Sequence, residues 1–233
     1  MRRRGERTSM AILGFGRGHV IRVNGSSSVV HATLRLCGLI LLFSAAIVAQ
    51  VPSPKSVLGF YPTDDKTIAD WRQIHDYFTK LDKASNKVAV REIGKTTNGK
   101  PLIVAFISSA DNIKNLDKYR QISAKLADPR TIRDEKELNE LINNGKTIAS
   151  IACSIHSTEI VASQMSMNLA YDLVTATDAE TKEILENTIL LLLPSSNPDG
   201  VDIVADWYRK TLGTKSEGTS PPELYHHYAG HDN

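Results

Sequence analysis

The 233 residues suffice for one sizeable α/β domain, and 41% hydrophobic with 23% charged residues is an ordinary globular balance. That balance excludes a collagen, a coiled coil and a wholly disordered chain. The net charge of +2 is unevenly spread: residues 1 to 50 hold seven Arg and one Glu, so the remainder carries −4, shows no basic patch and argues against nucleic-acid binding.

The chain opens with Arg2, Arg3, Arg4, Arg7, Arg17, Arg22 and Arg35. "LCGLILLFSAAIVAQ" follows, an apolar run of about 14 residues, right for a signal-peptide core and short for a membrane span. Ser44, Ala45, Ala46 and Ala49 offer cleavage sites, and "VPSPKS" reads as the mature start. Met10 is an alternative first residue, and an uncleaved anchor is the alternative to cleavage. The expectation is a secreted or periplasmic protein without stable membrane association once the leader is removed. Cys37 lies in the leader, which leaves Cys153 alone and provides no disulfide framework.

"KTIADWRQIHDYFTKLDKAS" places Ile68, Trp71, Ile74, Phe78 and Leu81 at helical spacing, with Asp64 and Asp65 as cap candidates. "KVAVREIG", the turn "KTTNGK" and "PLIVAFIS" read as a β-hairpin. Residues 115–127 and 134–144 read as surface helices, the second closed by Gly145 as C-cap. "TIASIACSI" is a nearly continuous apolar strand of the kind buried on both faces. Helices are expected over 159–176 and 178–187, then "TILLLLP" as a second buried strand, "SSNPDG" as a loop and "VDIVADWYRKTLG" as a helix. The tail turns polar and rich in Pro and Gly. A hairpin leading into strand-helix-strand units argues for an α/β sheet with helices on its faces.

Open α/β sheets place ligands at the carboxyl ends of their strands. His156 stands at the end of the strand expected over 147–155, and Glu159 opens the following helix. An imidazole nitrogen and a carboxylate oxygen both suit Zn²⁺ at about 2.0–2.2 Å. A catalytic zinc takes three protein ligands and a water, so this pair demands a third residue elsewhere. The plain alternative makes Glu159 a helix-start residue favoured by the macrodipole and His156 a polar strand-end residue. "NPDG", residues 197 to 200, has turn chemistry and reads by itself as a βα turn. If the two apolar strands are neighbours, it borders the same crevice. Cys153 reads as an inert core thiol, His75 as a structural helix residue, and His226, His227 and His231 as loop histidines.

Taken together, "EIGKTTNGKPL", "HSTE", "SSNPDG", "WYRKT" and "GHDN" resemble, in order, segments of the zinc carboxypeptidase family, the carboxypeptidase A-like peptidases. The resemblance covers residues 66 to 233. It implies a mixed, largely parallel sheet flanked by helices, incomplete at the C-terminus. With the leader read over 1–50 and a linker over 51–65, the resemblance makes 66–233 the N-terminal part of a catalytic domain. His156 and Glu159 would be zinc ligands, and Arg209 would steady negative charge on the tetrahedral intermediate. The implied substrates are peptide or protein C-termini, and the protein is expected to be a monomer. Thr158 departs from family members that carry Arg between the ligands. The family's Asn-Arg pair, third ligand His, capping Tyr and general-base Glu are expected beyond Asn233, so the chain reads as the front half of an enzyme. Taken alone it is expected to bind zinc weakly, to be inactive and to fold poorly. A small-amide deacylase of the same fold and a non-catalytic metal- or peptide-binding module are the alternatives.

Overall fold

The computed structural model describes residues 50–222. The leader with Cys37, the tail histidines His226, His227 and His231, and the "GHDN" segment lie outside the described residues.

Within the segment expected as a linker, Ser53 caps a short helix, α1 (Pro54–Leu58). Proline at the start of α1 gives up an N–H that has no helical partner there. Leu58 then joins the core. The longer helix is α2 (Trp71–Ala84), and its apolar stripe is buried: Trp71, Ile74, Tyr77, Phe78 and Leu81. Its cap is neither Asp64 nor Asp65 but Asp70. The Asp70 carboxylate accepts from the Gln73 amide at 2.8 Å, and the Gln73 side chain accepts from the Asp70 N–H at 3.1 Å. This reciprocal box satisfies two helix-end donors at once. Asp64 instead accepts from the Tyr61 N–H at 2.7 Å within the preceding turn, and Ile68 lies outside the helix.

The hairpin forms as expected from β1 (Val88–Lys95) and β2 (Pro101–Ile107), with a register shift between Glu92 and Gly94. Next come α3 (Ala110–Lys114), a short helix that carries no long apolar stripe, α4 (Leu116–Ala127) and α5 (Glu135–Asn144). Gly145 is the C-cap of α5, as expected, and holds extended backbone there (φ −73°). A side chain there would meet the Leu141 carbonyl at 3.0 Å, so close approach accounts for the glycine. The last elements are β3 (Thr147–Ala152), α6 (Ile160–Thr175), α7 (Ala179–Asn187), β4 (Thr188–Leu193) and α8 (Pro198–Thr211).

The four described strands run in the order β1-β2-β4-β3. β1–β2 and β2–β4 are antiparallel, and β3–β4 is parallel. The α/β class with a mixed sheet flanked by helices therefore stands. Among the described strands, however, parallel pairing is confined to β3 and β4. Strand β3 also corrects an expectation: it is not buried on both faces but ends at Ala152 and is largely exposed, Ile148 at 43% and Ile151 at 39%. It is the edge of the described sheet, with one neighbour, and apolar composition alone does not report sheet position.

The core lies between the sheet and helices α2 and α6. Ile74, Tyr77, Phe78, Leu81, Ile107 and Met167 are fully buried there. The wholly apolar side chains among them each contribute roughly 1.5–3 kcal/mol by leaving water. A smaller cluster of Leu116, Tyr119 and Ile189 holds α4 against the sheet.

Candidate metal centre

Parallel pairing makes β3 and β4 end side by side, and their loops leave the sheet together. The Cys153 N–H donates to the Leu193 carbonyl at 3.0 Å, and the Ser196 N–H donates to the Cys153 carbonyl at 2.8 Å. This is the carboxyl-end position where open α/β sheets form crevices.

The turn between β3 and α6 has a strained start. Ser154 sits at φ +48°, a left-handed conformation that costs a non-glycine residue roughly 1–2 kcal/mol. Its hydroxyl holds it there. Ser154 Oγ donates to the Glu159 carbonyl at 2.7 Å and accepts from the Ser163 N–H at 3.2 Å and the Ser163 hydroxyl at 2.7 Å. The Glu159 N–H donates to the His156 carbonyl at 3.0 Å. The turn is thereby fixed to the first residues of α6.

Its outer side presents His156 and Glu159. The His156 Nδ1 lies 3.2 Å from Glu159 Oε1, and the His156 N–H donates to Glu159 Oε2 at 3.3 Å. Both side chains are about half exposed, at 42% and 49%. The hydrogen bonds from His156 hold the Glu159 carboxyl below the usual carboxylate range. Glu159 occupies the N-cap of α6 but makes no side-chain cap hydrogen bond. Its carboxylate turns back to the imidazole, so helix capping does not account for it.

One imidazole nitrogen and one carboxylate oxygen, convergent and open to solvent, match the donor chemistry of zinc. Among the described residues no group of three His, Cys, Asp or Glu could hold a metal. The pair thus fits part of a site that needs a third protein ligand. Cys153 is buried at 3% exposure, and burial pushes its thiol up, which makes it an inert core residue. His75 lies in α2 with its ring tilted 6.4 Å from that of Trp71.

"SSNPDG" is only partly a loop. The Asn197 side chain caps α8 by accepting from the Gly200 N–H at 3.0 Å, and the helix begins at Pro198. The start of α8 is anchored by two carboxylates whose contacts the sequence does not show. Asp199 accepts from the Thr96 hydroxyl at 2.8 Å and the Asn98 N–H at 3.0 Å. Asp202 accepts from the Trp71 N–H at 2.7 Å and from the Lys100 ammonium. The hairpin turn therefore docks on the helix that borders the His156 turn. Both segments stood out in the sequence; their contact did not.

Arg209, near the far end of α8, reaches the start of α2. Its guanidinium donates to Asp70 Oδ2 at 3.0 Å, Gln73 Oε1 at 3.0 Å and the Ile68 carbonyl at 2.8 Å. None of these hydrogen bonds brings it to His156 or Glu159. An open groove of about 680 Å³ passes beside the turn, with Thr158 and Val161 on one wall and Trp207 and Tyr208 on another.

A family model for zinc carboxypeptidase matches residues 74–229. Among solved structures, the carboxypeptidase A from Helicoverpa armigera is 20% identical over 79% of this chain and 34% of that one, with a TM-score of 0.42. Thrombin activatable fibrinolysis inhibitor is 13% identical over 68% of this chain and 33% of that one, with a TM-score of 0.42. A metallo-carboxypeptidase from Burkholderia cenocepacia is 16% identical over 61% of this chain and 33% of that one, with a TM-score of 0.38. The chain spans about a third of the length of these solved structures. No curated protein matches it.

Proposed function

The chain belongs to the zinc carboxypeptidase family, and from that premise we propose that it serves zinc-dependent hydrolysis of C-terminal peptide bonds, with His156 and Glu159 as two of the metal ligands. The observation that carries this reading is the 3.2 Å approach of His156 Nδ1 to Glu159 Oε1 at the carboxyl ends of a parallel strand pair. Bound zinc supplies a water of pKa near 7 and a polarised substrate carbonyl. The chain's own residues hold and orient: Ser154 fixes the turn, and His156 and Glu159 offer one nitrogen and one carboxylate. The third protein ligand comes from outside the described residues.

The oxyanion role implied for Arg209 is less favoured than a bracing role, because its guanidinium is committed to Asp70, Gln73 and the Ile68 carbonyl. The proposed substrates are peptide or protein C-termini, taken by a monomer. A small-amide deacylase is the second reading, favoured by the neutral Thr158 on the groove wall where some relatives carry Arg. Export is proposed on the basic and apolar pattern of residues 1 to 50. No helix among the described residues is long and apolar enough to cross a membrane.

The test is release of C-terminal residues from peptides by the full-length protein, with and without a chelator. The activity is expected to vanish with chelator and in His156→Ala. Undiminished turnover in that variant refutes the reading, and turnover confined to small acylated amino acids selects the deacylase.

A further inference from the structure

We infer that Gly200 is a positioning residue for the His156–Glu159 turn, acting through Ser157; the inference rests on the reading of that turn as a ligand pair and deepens it. A Cβ placed on Gly200 would stand 2.4 Å from Ser157 Cβ, 2.7 Å from Ser157 Oγ and 2.9 Å from Asn197 Nδ2. Side chains do not pack that closely, so a residue with any side chain at 200 displaces Ser157 or the start of α8. Gly200 lies within α8 and is not among the glycines with positive φ. Its backbone therefore has no need of glycine, and a helix is better served by alanine. What the position needs is the empty space.

Ser157 sits between His156 and Thr158 and is completely buried. It is the inner side of the turn whose outer side carries the two proposed ligands. The Ser157 hydroxyl and Asn197 Nδ2 are buried and find no hydrogen-bond partner among the described residues. The contact is thus one of close packing, not of polar pairing. Behind Gly200, Asp199 and Asp202 fasten the start of α8 to the hairpin turn and to α2. In front of it, Ser154 fastens the turn to Ser163. The turn is gripped at two points, and Gly200 sets how near the second grip comes. Groups that orient metal ligands matter beside the ligands themselves, and their loss typically costs about 10- to 100-fold in metal affinity or activity.

The experiment uses the full chain and two readouts: zinc affinity by competition with a chromophoric chelator, and hydrogen exchange of the amides of residues 154–159 without metal. Gly200→Ala is expected to weaken zinc at least about 10-fold and to speed exchange in the turn. Ser157→Ala keeps the packing Cβ and is expected to change neither. The pair Gly200→Ala with Ser157→Gly moves the side chain to the other side of the gap, and is expected to recover most of both losses. Unchanged affinity and exchange in Gly200→Ala overturn the inference, as does a pair that recovers nothing. If Gly200→Ala does not fold, the pair decides: it folds and binds if the gap is the cause, and its failure overturns the proposal. His156→Ala separates the two layers. Should it leave zinc affinity intact, the metal reading falls, and Gly200 is judged by the exchange of the turn alone.

Discussion

Asp199 accepts a 2.8 Å hydrogen bond from the Thr96 hydroxyl, joining residues 103 positions apart and locking the hairpin turn to the start of α8. Asp199 is 7% exposed, and its carboxylate also takes the Asn98 N–H at 3.0 Å. It stands in the first turn of the helix, where negative charge is favoured. Asp199→Ala removes both of these bonds from the part-buried contact between the hairpin turn and α8. The expected cost is about 1.5–3 kcal/mol, since hydrogen bonds to charged groups are the stronger kind. Asp199→Asn retains one acceptor and is expected to lose less. Urea denaturation at neutral pH orders the three proteins, and an alanine variant as stable as the native chain would refute the anchoring role.

Arg209 offers a contrast, because its contacts are closer to solvent. The guanidinium is 42% exposed while binding Asp70, Gln73 and the Ile68 carbonyl. Screening keeps such pairs near or below about 1 kcal/mol, and the carbonyl contact adds a similar amount. Arg209→Ala should lower the melting temperature slightly and, on the proposed hydrolase reading, leave turnover within about tenfold. An oxyanion donor behaves differently: its removal costs about 10²–10³ in kcat. A loss of that size at unchanged stability would return Arg209 to the chemistry.

How much of this was legible in the sequence depends on the range of the interaction. The stripe Trp71, Ile74, Phe78, Leu81 is local, and its periodicity located α2. The box that starts the helix was also local, because Asp70 and Gln73 stand three apart as capping requires. Asp64 and Asp65 are cap residues by type as well, and residue type alone does not choose among them. His156 and Glu159 were legible because their approach needs only one turn of chain. The burial of "TIASIACSI" was not, since an apolar run specifies neighbours but not strand order. The contacts of Asp199 with Thr96, and of Gly200 with Ser157, join distant segments. No local pattern encodes them, though each partner sat in a motif that had drawn notice.

Glu137 gives the stability a defined acid dependence. The Arg133 guanidinium and the Lys125 ammonium hold its carboxyl down to about 2, and the Arg133 N–H donates to Oε2 at 2.8 Å. In the unfolded chain a glutamate titrates near 4.5. Between those values the unfolded state takes up the proton more readily, so acid favours unfolding. The stabilisation is fully present above about 4.5 and is lost as pH falls towards 2. Glu137→Gln removes the proton uptake. Urea midpoints between pH 2 and 6 should therefore fall less steeply in the variant, and parallel curves would contradict the assignment.

Ser154 carries an inversion of the usual order of substitutions. Glycine normally destabilises more than alanine, because it loses more backbone freedom on folding. At φ +48° the order should reverse. Ser154→Ala keeps a side chain in the left-handed region and removes the hydroxyl that binds the Glu159 carbonyl, the Ser163 N–H and the Ser163 hydroxyl. Ser154→Gly removes the same hydroxyl but relieves roughly 1–2 kcal/mol of backbone strain, more than the roughly 0.5–1 kcal/mol that glycine loses in backbone freedom. Both should be less stable than the native chain, with glycine the milder. Melting curves of the two variants test the sign, which contact loss alone does not produce. If alanine is the milder substitution, the turn is not strained at 154, and what holds the His156–Glu159 pair in place is the hydroxyl network and the packing at Gly200.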